Sequence, residues 1–217
     1  MLVTPRYGEA LGWAFALHKN QRRDGKDVPF VAHLLAVSSL VWEDGGNEDQ
    51  AIAALLHDAI EDASQTHGSI ASRFGDAVAD IVRDCTDPAK VHGSPCPAPW
   101  LEAKRSFIAS LEQMPAASLL VTAAEKAHNA RDHVLDGRRD PSSWQRASAG
   151  LEASTWYYRE LHQQLSRQLP GSRSVELLGT AVCDLLALPD FCRLVPAGID
   201  PIEWAASYLQ RQQIPNC

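Results

Sequence analysis

The sequence predicts an all-α fold, and three observations carry that expectation. Apolar residues recur three and four positions apart through most of the 217 residues, as one face of a helix requires. The segments marked in this way end in helix punctuation: Gly45-Gly46, Gly75, Asp140-Pro141 and Pro170-Gly171. Alternating β-branched runs, the mark of strands, are few.

Taken in order, residues Glu9 to Lys19 place Leu11, Phe15 and His18 on one face. Val31 to Glu43 repeats the pattern with Leu34, Val37, Leu40 and Val41, and Gly45-Gly46 stops it. A third helix starts near Glu48 and carries Ile52, Leu55 and Leu56. Thr66 is positioned to cap a short helix that stops at Gly75, and Asp76 to Asp84 follows with Ala77, Val78 and Ile81 inward. Pro88 to Pro99, with four prolines, reads as a loop. Helices resume at Leu101 to Met114 and at Ala116 to Arg131. Asp140-Pro141, an N-cap followed by proline at the first helical position, opens a long helix through Trp144, Leu151, Trp156 and Leu161. Two more helices are expected, near Ser174 to Leu186 and from Asp200-Pro201 to Gln213. The expected organisation is a main domain over 1–169 and a helical extension over 170–217, which either packs on the core or forms a dimer contact. Trp156, Tyr157 and Tyr158 suit core, pocket lid or interface.

Composition narrows the class. Hydrophobic residues at 45% and charged residues at 22% match ordinary globular usage and exclude a disordered chain or a coiled-coil rod. A formal net charge of −7 argues against a general nucleic-acid binder, because phosphate backbones need a basic face. No apolar run is long enough for a membrane span, and Met1 to Ala10 lacks a signal-peptide core. Five cysteines, an odd number with no CxxC pair, fit neither a disulfide framework nor a cysteine zinc site, so a reducing cytoplasm is expected.

The segment Ala53-Ala54-Leu55-Leu56-His57-Asp58-Ala59-Ile60-Glu61-Asp62 concentrates the polar chemistry. If its helix continues, His57 shares a face with Glu61, and Asp58 with Asp62, four residues on in each case. Crowded carboxylates repel, and a buried group of them needs a cation. Imidazole and carboxylate ligands together suit Mn²⁺, Mg²⁺, Fe²⁺ or Zn²⁺. His33 and Glu125 each interrupt an apolar helix, and one ion shared with His57 and Asp58 would satisfy all four. Singly, each has an ordinary explanation: a satisfied core histidine, an exposed glutamate, a solvated helix end at Glu61-Asp62.

Lys19, Arg22, Arg23 and Lys26 form a basic run just before His33, offset in part by Asp24 and Asp27. Such a run is usually a solvated loop, but beside a metal it suits phosphate or pyrophosphate, which arginine grips with paired donors. Asn129 lies four residues after Glu125 on the same face, placed either to bond a substrate or to meet solvent. His128 and Arg131 are placed to form a structural polar pair.

The ordered series His18-x-x-Gln21-x-Arg23, Gly25, Pro29 and His33, then His57-Asp58-x-x-Glu61-Asp62 with Thr66, Phe74-Gly75, and Glu125-x-x-His128-Asn129-x-Arg131, spans about residues 8–165. It resembles the HD-domain superfamily of metal-dependent phosphohydrolases, and more closely the (p)ppGpp hydrolase domain of RelA/SpoT enzymes and stand-alone small alarmone hydrolases. The resemblance implies an HD-domain helical bundle in which His33, His57 and Asp58 bind Mn²⁺, with Glu125 as the fourth ligand. Glu61 and Asp62 would handle the attacking water, Arg22 and Arg23 the phosphates, and Asn129 the nucleoside, with Lys19 beside the arginines in the same basic run. The implied reaction removes the 3′-pyrophosphate of (p)ppGpp to give GDP or GTP. Three positions depart from the family pattern: Glu125 replaces an aspartate, Thr122 a lysine and Leu34 a proline. These departures leave room for another nucleotide (a dNTP, an NMP or NADPH) or for a nucleotide-binding module without catalysis.

Overall fold

A computed structural model describes residues 3–87, 100–146 and 149–212. The first helix, α1 (Pro5–His18), begins earlier than the apolar pattern indicates, because Thr4 caps it by accepting from the Arg6 amide and Pro5 sits in its first turn. Its buried stripe is Ala10, Ala14 and His18. Phe15, expected inward, is 56% exposed. It stands one residue, about 100° of rotation, beyond Ala14, and the four-residue stripe turns it to solvent.

Helices α2 (Val31–Glu43) and α3 (Glu48–Leu56) form a tight hairpin. Gly45 takes φ +80 in the turn, and Asn47 and Gln50 close a capping box. A Cβ on Gly46 would lie 2.6 Å from a Val41 methyl and 2.8 Å from the Val41 carbonyl oxygen, so the turn folds back on the end of α2 too closely for any other residue there. Ala51 to Leu56 are fully buried, which makes α3 the central rod of the N-terminal half. It ends sooner than the sequence pattern indicates. The chain turns at His57-Asp58 and restarts as α4 (Ala59–Asp62), so the helix does not continue unbroken through Asp62. Next come α5 (His67–Phe74), with Thr66 and Ser69 as its capping box, and α6 (Asp76–Cys85). In α6 the inward residues are Val78, Ala79, Ile81 and Val82, while Ala77, expected inward, is exposed. The expected loop at 88–99 lies outside the described residues.

The C-terminal half starts with α7 (Trp100–Ser110) and a 3-10 turn at Leu111–Gln113, where one longer helix was expected. The long α8 (Ala116–Arg139) runs past its expected end at Arg131. Asp140-Pro141 does not open a long helix. A short α9 (Ser143–Arg146) and α10 (Gly150–Gln168) stand in its place, with Gly150 at φ +71. Then come α11 (Arg173–Leu186), the unforeseen α12 (Pro189–Leu194), α13 (Pro201–Ala206) and α14 (Tyr208–Gln212). The last two replace the single helix expected up to Gln213.

Two hydrophobic clusters organise the molecule. One gathers α1 to α6, with Leu34, Ile52, Leu55 and Ile70 inside it. The other joins α7 to α13 around Trp156, Leu161, Leu178 and Phe191, and it takes in Tyr157 and Tyr158, which are therefore core residues. Helix α8 belongs to both, giving Val121 and Ala124 to the first and Leu119, Ala123, Ala127 and Ala130 to the second. Among the described residues no helix is long and apolar enough to cross a membrane. The only extended pairing described among them is an isolated bridge between Arg22 and Pro29.

Candidate metal centre and active site

Three helices deliver the polar centre. His33 lies in the first turn of α2, His57 and Asp58 form the break after α3, and Glu125 and His128 ride on α8. The break is what turns the Asp58 carboxylate back onto His57. Asp58 Oδ2 lies 3.0 Å from His57 Nε2 and 3.9 Å from His33 Nε2. The two Nε2 atoms are 3.2 Å apart, and one ligand atom from each of the three residues falls within 4.8 Å of the others. His57 Nδ1 donates to the Ala54 carbonyl at 2.8 Å, and His33 Nδ1 lies 2.9 Å from His128 Nδ1.

The electrostatics divide the three imidazoles, raising one and lowering two. Burial opposes a proton on His57, but the Asp58 charge and hydrogen bond outweigh it and push the imidazole up to about 9. Burial, followed by the His57 and Arg23 charges, drives His33 far below the ordinary imidazole range. Burial also brings His128 down to about 4. The pair His33–His57 thus holds one proton between two nitrogens that face a carboxylate, and a divalent ion would replace that proton with more charge on the same donors. Two imidazole nitrogens and a carboxylate oxygen, buried and converging, fit such an ion.

Glu125 stands outside this trio. Lys126 Nζ is 2.6 Å from its carboxylate, and Asn129 donates to it. Burial would raise the Glu125 carboxyl, yet Lys126 and then His57 hold it below its usual value. The ammonium of Lys126 also lies over the Phe107 ring at 4.8 Å.

Glu61 and Asp62, which an unbroken helix would pair with His57 and Asp58 respectively, are instead carried by α4 beyond the break. Glu61 is 5% exposed and accepts the Asp87 amide at 2.6 Å. Asp62 is exposed and accepts from Gln21 Nε2 at 2.7 Å. Gln21 is fixed in turn by His18 Nδ1 at 2.6 Å, whose ring stacks on Phe30. The basic run divides. Arg23 points inward and donates to Asn129 at 2.6 Å and to Asp132 at 3.0 Å. Lys26 also grips Asp132, at 2.9 Å. Arg22 is exposed and pairs with Asp27 at 2.7 Å, and Lys19 is exposed. Sequence reasoning gave no task to His18, Gln21 or Lys126. His18 carries the same signal as His33, a polar residue on an otherwise apolar helical face.

Two imidazoles and a carboxylate meeting at a broken helix, inside an all-helical scaffold, define a class: the helical metal-dependent hydrolases. Within it, the HD domain model matches residues 10–151, and the chain belongs to the HD-domain family. It is 34% identical over 139 residues to guanosine-3′,5′-bis(diphosphate) 3′-pyrophosphohydrolase MESH1 of Xenopus tropicalis, which covers 63% of this chain and 72% of that protein. The protein of the same name from Homo sapiens is 31% identical over a stretch of the same length, with the same coverage. A solved structure described as a metazoan ortholog of SpoT that hydrolyzes ppGpp matches with TM-score 0.64 and 25% identity, covering 84% of this chain and 96% of the other.

Proposed function

We propose that this chain is a metal-dependent hydrolase that removes the 3′-pyrophosphate of (p)ppGpp, giving GDP or GTP and pyrophosphate. The observation that carries the proposal is the convergence of His33, His57 and Asp58 within 4.8 Å on the scaffold of the HD-domain family. Relatives named as 3′-pyrophosphohydrolases of the same nucleotide support the substrate. His33, His57, Asp58 and Glu125 would hold the ion, for which Mn²⁺ is proposed ahead of Mg²⁺, Fe²⁺ or Zn²⁺. When bound, it supplies a Lewis acid and lowers the pKa of a coordinated water.

The chain's own residues do the rest. Glu61 or Asp62 accepts the proton of the attacking water. The Asp87 amide keeps Glu61 in place, and Gln21 does the same for Asp62. The water oxygen joins the ribose-linked phosphorus, the bond from that phosphorus to O3′ breaks, and O3′ leaves with a proton. Lys19, Arg22 and Arg23 neutralise phosphate oxygens, and Asn129 positions the nucleoside, with Arg23 already oriented by Asn129 and Asp132. We further propose that 170–217 is an accessory extension of a domain ending near 169, that the enzyme works in the cytoplasm, and that it takes no nucleic acid.

The test is hydrolysis of ppGpp with Mn²⁺ by the parent protein and by Asp58→Ala. Release of GDP and pyrophosphate by the parent, with metal content and turnover both lost in the variant, supports the proposal. Turnover of ppGpp by Asp58→Ala at the parent's rate would end it. Glu125, Thr122 and Leu34 favour a second reading, the same chemistry on another nucleotide. A panel of dNTPs, NMPs and NADPH, scored for phosphate against pyrophosphate release, separates the two.

A further inference from the structure

We infer that His128 is the positioning residue that fixes the His33 tautomer, accepting the Nδ1 proton of His33 so that Nε2 faces the centre as a bare lone pair. The inference rests on the metal reading above and goes beyond it, because it gives a role to a residue outside the proposed ligand and substrate set.

The proton positions follow from the donor inventory. The Ala54 carbonyl only accepts, so His57 Nδ1, at 2.8 Å from it, carries a hydrogen. His57 Nε2 therefore faces Asp58 and His33 from a ring whose other nitrogen is already committed. His33 Nε2 is 3.2 Å from His57 Nε2 and points at the same spot, and it serves as a ligand only without its own hydrogen. A neutral imidazole carries one hydrogen, which then sits on His33 Nδ1. The partner there is His128 Nδ1 at 2.9 Å, with the two ring centroids 4.8 Å apart. Two hydrogens cannot share that gap, so His128 accepts and keeps its own hydrogen on Nε2. Such an outer partner is usually a carboxylate or a carbonyl. Here α8 supplies an imidazole, which orients His33 without adding a negative charge behind it.

Two measurements on the 217-residue chain decide the matter. Nitrogen-15 NMR of the metal-free parent, with the His33 signals assigned by their loss in His33→Gln, reads the tautomer directly. A protonated Nδ1 and a bare Nε2 on His33 are expected, and the opposite tautomer overturns the inference. Mn²⁺ affinity by calorimetry is the second. His128→Phe keeps a ring but removes the acceptor, and it should weaken binding about ten- to a hundred-fold. His128→Gln restores an acceptor and should recover most of the loss. Parental affinity in His128→Phe overturns the inference and leaves the metal site standing. A parent that takes up no Mn²⁺ overturns both. Should His128→Phe fail to fold, the NMR measurement and His128→Gln still decide.

Discussion

At the scale of single residues, the two carboxylates of α4 are held in different ways, and that difference is testable. Glu61 is buried and takes a backbone amide, whereas Asp62 is exposed and depends on a side chain, Gln21, that is itself oriented by His18. Glu61→Gln keeps the shape and removes the base. It should cut kcat about 10²- to 10⁴-fold while metal content, measured by elemental analysis, stays at the parental level. Gln21→Leu removes one hydrogen bond to a charged group, worth about 1.5–3 kcal/mol, so kcat should fall about 10- to 100-fold. An unchanged kcat in Gln21→Leu would show that Asp62 needs no such support. Parts of this arrangement were legible in the sequence. The His57-Asp58 pair and the lone His33 in an apolar run point to a shared ion with no coordinates at all. The Glu61–Asp87 and Gln21–Asp62 contacts were not legible, because they join residues 26 and 41 positions apart and depend on where the chain turns.

Between elements, the tightest ties fall where one helix end meets another. Asp44, at the end of α2, accepts from the Ser172 hydroxyl at 2.5 Å and from the amides of Arg173 at 2.8 Å and Ser174 at 3.0 Å, and so caps α11 from outside. Burial would raise its carboxyl, but the Ser172 bond and those amides hold it below 3.8. Asp44→Ala should cost about 0.5–2 kcal/mol in urea unfolding at pH 7. The sign follows from the lowered value: the contribution is complete above 3.8 and is lost as pH falls through the folded-state value. The gap between variant and parent should therefore close in acid. Gly137 in α8 sets two rules against each other. Alanine is the better helix former by about 1 kcal/mol, yet its Cβ would sit 2.5 Å from the Trp144 ring nitrogen. The ring is itself packed and cannot swing away, so Gly137→Ala should lower the thermal midpoint, with a net loss of about 1–2 kcal/mol. Helix existence was readable from periodicity, and so were ends such as Glu43 before Gly45-Gly46 and the Thr66 cap, whereas two other ends were not. The stop after Leu56 has no glycine or proline to announce it; Asp140-Pro141 carries the start signals of a helix that the chain does not begin there.

Over the whole molecule, stability should depend on acid through histidines buried without charge. Burial holds His128 down to about 4 and His133 below its ordinary value, while an unfolded chain titrates near 6.5. Between those values the unfolded state binds more protons, so stability rises with pH across the window and is complete above 6.5. The urea midpoint of the metal-free protein should fall as pH drops from 6.5 to 4. A midpoint that stays flat across that range would show that these imidazoles are not buried in neutral form. The double core also has an optical consequence. Of the six tryptophans, Trp13 and Trp42 pack on the N-terminal cluster, and Trp100, Trp144, Trp156 and Trp204 on the C-terminal one. Replacing the first two by phenylalanine silences one half of the molecule and leaves four indoles reporting on the other. A single chain can then reveal, by fluorescence alone, whether α8 makes its two flanking cores melt as one unit or lets them part.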